Sequence, residues 1–218
     1  MMRTFGFPEF MFILEAARWT LALSAIAFLG GSLLGIAIAL CRVADGRVPR
    51  VASAGFIRIF QGTPLLLQLF LIFFGAPVFG LDINPWIAAG VALTLNSAAF
   101  LAEIWRGCIE AVPRGQWEAP AALGLKSGSR MRAVILPQAF KIALAPTVGY
   151  FVQVIKGTSL AAIIGFTEIT RAGQIINNAT FEPLKVFSTV AAIYFLICWP
   201  LSLLAAWMER RRARVLAH

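Results

Sequence analysis

Pro113-Arg114-Gly115-Gln116-Trp117-Glu118-Ala119-Pro120-Ala121-Ala122-Leu123-Gly124-Leu125-Lys126-Ser127 is a polar, small-residue stretch in a chain that is otherwise mostly apolar, and Ile135-Leu136-Pro137-Gln138-Ala139 follows it. A stretch of this composition faces water, whereas the apolar runs on either side are long enough to cross a bilayer. A loop of alanines, glycines and one carboxylate between two spans reads less as a linker than as a docking surface offered to a soluble partner.

The rest of the chain is membrane by composition. Hydrophobic residues make up 60% and charged residues 13% of its 218 positions, with a mean hydropathy of +0.82. Ordinary soluble domains carry roughly 45 to 50% apolar and about 25% charged residues. The charge-free runs are Trp19 to Cys41, Ile59 to Leu81, Ile83 to Ala102, Ile142 to Ile155 and Val186 to Met208. Four of them meet the requirement of about 20 residues for a spanning helix. The shorter Ile142 to Ile155 run extends backwards through Ala133 to Phe140 if Lys141 snorkels. The expectation is five spans, near 19–41, 59–81, 84–108, 133–157 and 186–208, in a single all-α membrane domain covering 1–218.

The basic residues set the expected orientation. With the N-terminus outside, 14 of the 19 Lys and Arg residues fall in inner segments, among them Arg42, Arg47, Arg50, Arg106, Lys126, Arg130 and Arg210 to Arg212. Only Arg3, Arg18, Lys156, Arg171 and Lys185 lie outside. The excess favours an outer N-terminus and a cytoplasmic C-terminus, which makes the 113–130 loop cytoplasmic. The formal net charge of +9 then belongs to membrane topology and anionic headgroups rather than to nucleic acid. Met1 to Arg18, interrupted by Glu9 and Glu15, reads as an interfacial segment with Phe7, Phe10, Met11 and Leu14 in the lipid. Cys41, Cys108 and Cys198 show neither a disulfide framework nor metal-ligand spacing, and the single His218 is terminal.

Inside the membrane the helix breakers carry the information. The second run opens Gly62-Thr63-Pro64 and closes Gly75-Ala76-Pro77, and such residues are tolerated there only where neighbouring protein satisfies the freed backbone groups. Gly157 to Thr167, eleven residues between Lys156 and Glu168, is too short to span and reads as a re-entrant or lateral helix. Asn96 and Ser97 fall near mid-membrane on the third span. Thr147, Tyr150 and Gln153 recur every three residues along the fourth, with Lys156 at its outer end, and Gln61 and Gln68 sit on the second. These groups either line a polar pathway or make interhelical hydrogen bonds that hold the bundle together. Glu103 with Arg106 and Glu110 with Arg114, at helical spacings, are gate pairs or interfacial anchors. In the polar loop, a short helix with Ala119, Ala121, Ala122 and Gly124 exposed lets another surface approach closely. Glu118 suits the start of such a helix and Gly124 its end.

Gly62-Thr63-Pro64-Leu65-Leu66, Ala102-Glu103-Ile104 with Arg106-Gly107, Gln116-Trp117-Glu118-Ala119 with Ala122-Leu123-Gly124, Leu136-Pro137-Gln138-Ala139, Thr158-Ser159-Leu160 and Thr170-Arg171-Ala172-Gly173 together resemble the permease subunits of bacterial ABC importers for polar amino acids. The resemblance runs from Trp19 to Arg212. It implies a type I importer permease with five transmembrane helices and a cytoplasmic coupling helix between the third and fourth, in the bacterial inner membrane. It further implies that Glu118, Ala119, Ala122, Leu123 and Gly124 match the EAA signature that docks on the ATPase. Two cytoplasmic ATPase subunits, a second permease (identical or paralogous) and an extracytoplasmic solute-binding protein are the implied partners, with ATP and Mg on the ATPase. The chain itself has no Gly-x-x-x-x-Gly-Lys-Ser/Thr loop, so it is expected to be a transport subunit and not an enzyme, without cofactor or metal. Asn96, Ser97, Gln68, Tyr150, Gln153 and Lys156 become the substrate-pathway candidates, offering a zwitterion both donors and acceptors. The chain departs from the family at Pro120, where alanine is usual and where the coupling helix is expected to begin or kink. It departs also at Gln61 for arginine, Gly149 for asparagine and Gly157 for aspartate. A free-standing secondary transporter or channel, or a non-transporting membrane scaffold, is the competing reading. Five spans do not divide into the two equal repeats of many carriers.

Overall fold

The computed structural model describes residues 4–216, with side chains as far as Arg211. Met1 to Arg3 of the expected interfacial segment, the Arg212 and Arg214 side chains and His218 lie outside the described residues. The described chain is helical: α1 (Phe7–Val43), α2 (Arg47–Gly62), α3 (Leu65–Gly75), α4 (Pro85–Glu110), α5 (Arg114–Ala122), α6 (Ser127–Arg130), α7 (Leu136–Gly157), α8 (Ile169–Thr180) and α9 (Pro183–Leu216). A 3-10 turn, Ala76–Phe79, follows α3; a π turn, Met131–Ile135, joins α6 to α7; a 3-10 segment, Thr158–Ile164, extends α7. Four of these helical stretches are long and apolar enough to cross a membrane, and the bent pair Arg47–Gly62 with Leu65–Phe79 makes a fifth when it is counted as one span.

Two expected boundaries are redrawn. The N-terminal segment is no separate interfacial piece, because it forms the first three turns of the 37-residue α1. No proline interrupts the chain between Pro8, which sits in the first turn, and Val43, and at about 1.5 Å per residue the helix is longer than the ~30 Å hydrocarbon core. Its Glu9, Ile13, Ala16 and Thr20 are buried, with Ile13 and Ala16 packed on Ile169, Ala172, Val186 and Val190 of α8 and α9. The second run, expected as one span over 59–81, turns through 99° between α2 and the α3 segment. Pro64 has no N–H and drives the preceding residue out of the helical region, and Thr63 is extended at φ −115°, ψ 140°.

The bundle is built on α1 against α4. Lipid offers no hydrophobic drive for two helices to associate, so close van der Waals approach through small residues holds them. At Gly31 the approach is closest, since a Cβ there would lie 2.5 Å from the Ser97 Cβ and 3.2 Å from the Ala98 nitrogen. Around this seam Leu23, Ala27, Leu69, Ala88, Ala92, Leu93, Val154 and Phe166 form the central core. The Gly157 to Thr167 piece belongs to this core as well: Ala161, Ala162 and Ile164 are buried, and the turn ends at Gly165 with φ +87°.

Candidate functional site

The break between α2 and α3 leaves carbonyls without helical partners, and two amides take them up. Gln68 Nε2 donates to the Phe60 carbonyl at 2.8 Å, to the Thr63 carbonyl at 3.0 Å and to Thr63 Oγ1 at 2.9 Å. Asn96 Nδ2, from α4, donates to Gln68 Oε1 at 3.2 Å and to the same Phe60 carbonyl at 3.3 Å. Both hydrogens of the Asn96 amide are thereby committed, and the group it retains for a solute is its amide oxygen. Gln61 lies outside this pair and donates to the Ala99 carbonyl at 3.3 Å.

Next to this staple a cavity of about 400 Å³ opens between α3, α4 and α7, lined by Leu65, Leu93, Asn96, Ser97, Phe100, Tyr150, Gln153, Val154 and Gly157. Four of the six sequence-derived pathway candidates therefore converge: Asn96, Ser97, Tyr150 and Gln153. The Tyr150 ring stacks on Phe100, centroids 5.5 Å apart, and its hydroxyl lies beside that of Ser97. The walls carry amide and hydroxyl groups but no charge, so a small solute with its own donors and acceptors fits their chemistry better than an ion. The other two candidates stand elsewhere. Gln68 is the staple. Lys156 faces a second cavity of about 630 Å³ with Ser159, Thr170, Tyr194 and Cys198. Thr147, expected on the same stripe as Tyr150 and Gln153, accepts from Trp105 Nε1 at 2.9 Å and lines an apolar cleft of about 450 Å³ between α1, α4 and α7.

Sequence reasoning passed over Phe100 and Leu65. Phe100 is one helical turn beyond Asn96, and an apolar residue among polar ones gave no signal of its own. Gly157, a departure from the family pattern and the first residue of the short 157–167 segment, stands one turn beyond Gln153, and a Cβ there would point at Leu65 and Leu93 at 3.4 and 3.6 Å. Also unforeseen is Glu168, fully buried at the head of α8. Its Oε1 accepts from the Arg171 N–H at 2.9 Å and its Oε2 from the Tyr194 hydroxyl at 2.6 Å. Burial pushes this carboxyl above the usual range, against the lowering effect of those bonds.

The polar loop folds into α5, which starts at Arg114, six residues before Pro120, and contains that proline. Pro120 is thus neither the start of the helix nor next to it. Glu118 lies in the second turn rather than the first, so the macrodipole gives it little of the stabilisation expected at a helix start. Pro120 is buried, while Glu118, Ala119, Ala121, Ala122, Leu123 and Gly124 are exposed. The helix ends as a Schellman motif: Leu125 N–H donates to the Pro120 carbonyl at 3.0 Å and Gly124 N–H to that of Ala121 at 3.0 Å. Gly124 takes φ +79° there, the left-handed conformation that glycine adopts without a Cβ clash. At the C-terminal end of α4, Arg106 bridges Glu103 and Glu110; the expected pairing of Glu110 with Arg114 is replaced by this one.

Residues 31–214 match the family described as binding-protein-dependent transport system inner membrane component. The L-cystine transport system permease protein TcyB of Bacillus subtilis (strain 168) is 38% identical over 91% of this chain and 86% of its own length. The glutamine transport system permease protein GlnP of Escherichia coli (strain K12) is 36% identical over 94% of each chain. Among solved structures, a crystal structure of an amino acid ABC transporter with histidines superposes with a TM-score of 0.87 at 36% identity, covering 92% of this chain and 94% of that one. The MetNI methionine ABC transporter in an inward-facing conformation shares the fold, with a TM-score of 0.78 at 18% identity.

Proposed function

Because the chain belongs to the family of binding-protein-dependent transport system inner membrane components, and is a multi-pass permease subunit of an ABC importer, we propose that it passes a polar amino acid or close analogue through the cavity between α3, α4 and α7. The observation that carries this reading is the convergence of Asn96, Ser97, Tyr150 and Gln153 on one uncharged cavity. A zwitterion there finds the Asn96 and Gln153 amide oxygens as acceptors for its ammonium, and the Gln153 N–H and the hydroxyls as donors to its carboxylate. The relatives' named solutes, cystine and glutamine, are of this class.

On this reading two ATPase subunits hold ATP and Mg, and their surface receives α5 at Glu118, Ala119, Ala122, Leu123 and Gly124. A second permease, identical or paralogous, completes the pathway, and an extracytoplasmic binding protein delivers the solute. The 14 to 5 division of basic residues supports a cytoplasmic α5 and C-terminus. The competing carrier and scaffold readings have no use for an exposed helix of this kind joined to a pathway helix.

The complex purified with its companion subunits and placed in liposomes tests the reading. Gln153→Leu and Tyr150→Phe remove polar groups from the cavity without touching the staple, and are expected to impair uptake of labelled amino acids while the ATPase still co-purifies. Parental uptake by both variants, or a parental complex that moves a sugar or a metal ion instead, overturns it. Asn96→Leu is the poorer probe, because it also takes the Asn96 donor from Gln68 Oε1 and one of two side-chain donors from the Phe60 carbonyl.

A further inference from the structure

Between α5 and α7 the chain passes through a π turn, Met131–Ile135, a widened stretch of helix that is frequent at functional sites and at which helices kink. Its origin is local. Pro137 has no N–H to offer the Ala133 carbonyl, and Leu136 N–H reaches back instead to Met131. Left alone, a turn of this kind lets α5 swing relative to α7, and a push on α5 would be dissipated there.

Two side chains, one on each side of the π turn, tie the helices across it. Gln138, just beyond the turn, donates from Nε2 to Gln116 Oε1 on α5 at 3.1 Å and to the Val134 carbonyl inside the turn at 2.9 Å. Arg130, just before the turn, donates from Nη1 to the Trp117 carbonyl on α5 at 3.4 Å, and its guanidinium carbon stands 5.8 Å from the centre of the Trp117 ring. Beneath these ties Trp117, Met131 and Val134 pack on Ile109, Val112, Ile135 and Ala139, so the C-terminal end of α4 joins the same block. We propose that Gln138 and Arg130 are positioning residues that splint the π turn and make α5 and α7 one stiff lever. Displacement of α5 then reaches the part of α7 that precedes Pro146, eight residues and about 12 Å along α7 from Gln138. The proposal rests on the reading of α5 as the helix that meets the ATPase.

Nitroxide labels at Gly115→Cys on α5 and Lys141→Cys on α7, in a cysteine-free chain within the assembled complex, measure the lever by pulsed electron resonance. Both positions are open: Lys141 is exposed, and a side chain at Gly115 meets nothing within 4 Å. A narrow distance distribution that stays in place between the nucleotide-free and ATP-bound states is expected. Gln116→Leu, an exposed position whose change cannot unfold the core, and Gln138→Leu should each broaden it. Amino-acid uptake per ATP hydrolysed should fall between about twofold and tenfold in each, the span of one lost hydrogen bond, with the ATPase still bound. Gln116→Glu combined with Gln138→Lys restores a tie and should recover the narrow distribution. A distance that shifts on ATP binding in the parental complex, or leucine variants with parental width and parental coupling, overturns the proposal. Failure of the underlying reading looks different: the ATPase then co-purifies equally well with Glu118→Lys, while the width of the distribution in the permease still reports on the splint.

Discussion

Gln68→Leu removes the amide that holds the α2–α3 break together, and the bonds it leaves unmade set the cost. The substitution keeps side-chain volume nearly constant, so no large cavity enters the balance. Four hydrogen-bond contacts are lost: the two Gln68 N–H groups share three acceptors, and the Gln68 oxygen accepts from Asn96. Two groups recover at once: the Phe60 carbonyl keeps Asn96 Nδ2 at 3.3 Å, and Thr63 keeps its own donation to the Ile59 carbonyl at 2.8 Å. The Thr63 carbonyl and one Asn96 N–H remain without partners. An orphan costs about 1 to 3 kcal/mol where it is buried, as Asn96 is, and less at the exposed Thr63, and hydrogen bonds between membrane helices average only about 0.6 kcal/mol. The lower end applies, and a loss of about 2 kcal/mol is expected. The assay is reversible unfolding of the purified permease in mixed micelles with increasing SDS, followed by tryptophan fluorescence. The double variant Gln68→Leu with Asn96→Leu sharpens it, because removing both partners of the amide pair leaves no orphaned N–H. It should cost about 1 kcal/mol less than the sum of the single changes. A Gln68→Leu protein within about 0.5 kcal/mol of the parent, or strict additivity in the double variant, refutes the staple.

Gly173→Ala places a Cβ 2.6 Å from Val190 Cγ2 and should cost about 1 to 3 kcal/mol by overpacking; Val190→Ala clears that atom, so in the same unfolding assay the pair should cost less than the sum. Gly124→Ala meets nothing within 4 Å but keeps φ +79°, so it should destabilise by about 1 kcal/mol, with Gly124→Asn milder; a larger loss of ATPase binding than of stability would place the partner's surface against that position. Glu168 gives a pH dependence of known sign: burial raises its folded pKa above the ordinary value, so the folded state binds the extra proton between the two values. Stability conferred by the protonated form is therefore full below the ordinary carboxylate pKa and declines as pH rises through the folded one. Glu168→Gln should flatten that decline in unfolding measured from acid to neutral pH, while its amide still caps the Arg171 N–H and meets Tyr194; an unchanged slope counts against a titrating Glu168.

The membrane class, the number of spans and the polar loop were legible along the chain because each depends on local composition. A run of about 20 apolar residues must cross or aggregate, and a loop of Ala, Gly, Lys and Glu must face water, whatever the rest of the molecule does. Order and spacing of short motifs carried the family resemblance in the same way. The capping role of Gly124 was visible too, since a left-handed helix end selects glycine wherever it occurs.

The partners of each polar group were not legible. Asn96, Gln68, Gln153 and Lys156 looked alike as polar residues in oil, and one dimension holds no information on which of them face each other. Folding divided them: Asn96 and Gln68 went to the carbonyls freed at Pro64, Gln153 and Tyr150 to the cavity, Lys156 to another. That division follows from the requirement that every backbone group find a partner within the bilayer; the break consumes the N–H groups of the nearest amides, and the Asn96 oxygen and the groups beyond its reach remain for a solute. Glu118 illustrates the same limit at short range. Its type suited a helix start, yet the start fell at Arg114: Trp117 packs on Ile109, Val112, Ile135 and Ala139 and Pro120 is buried, and this packing, not the charge, chose the phase of the helix.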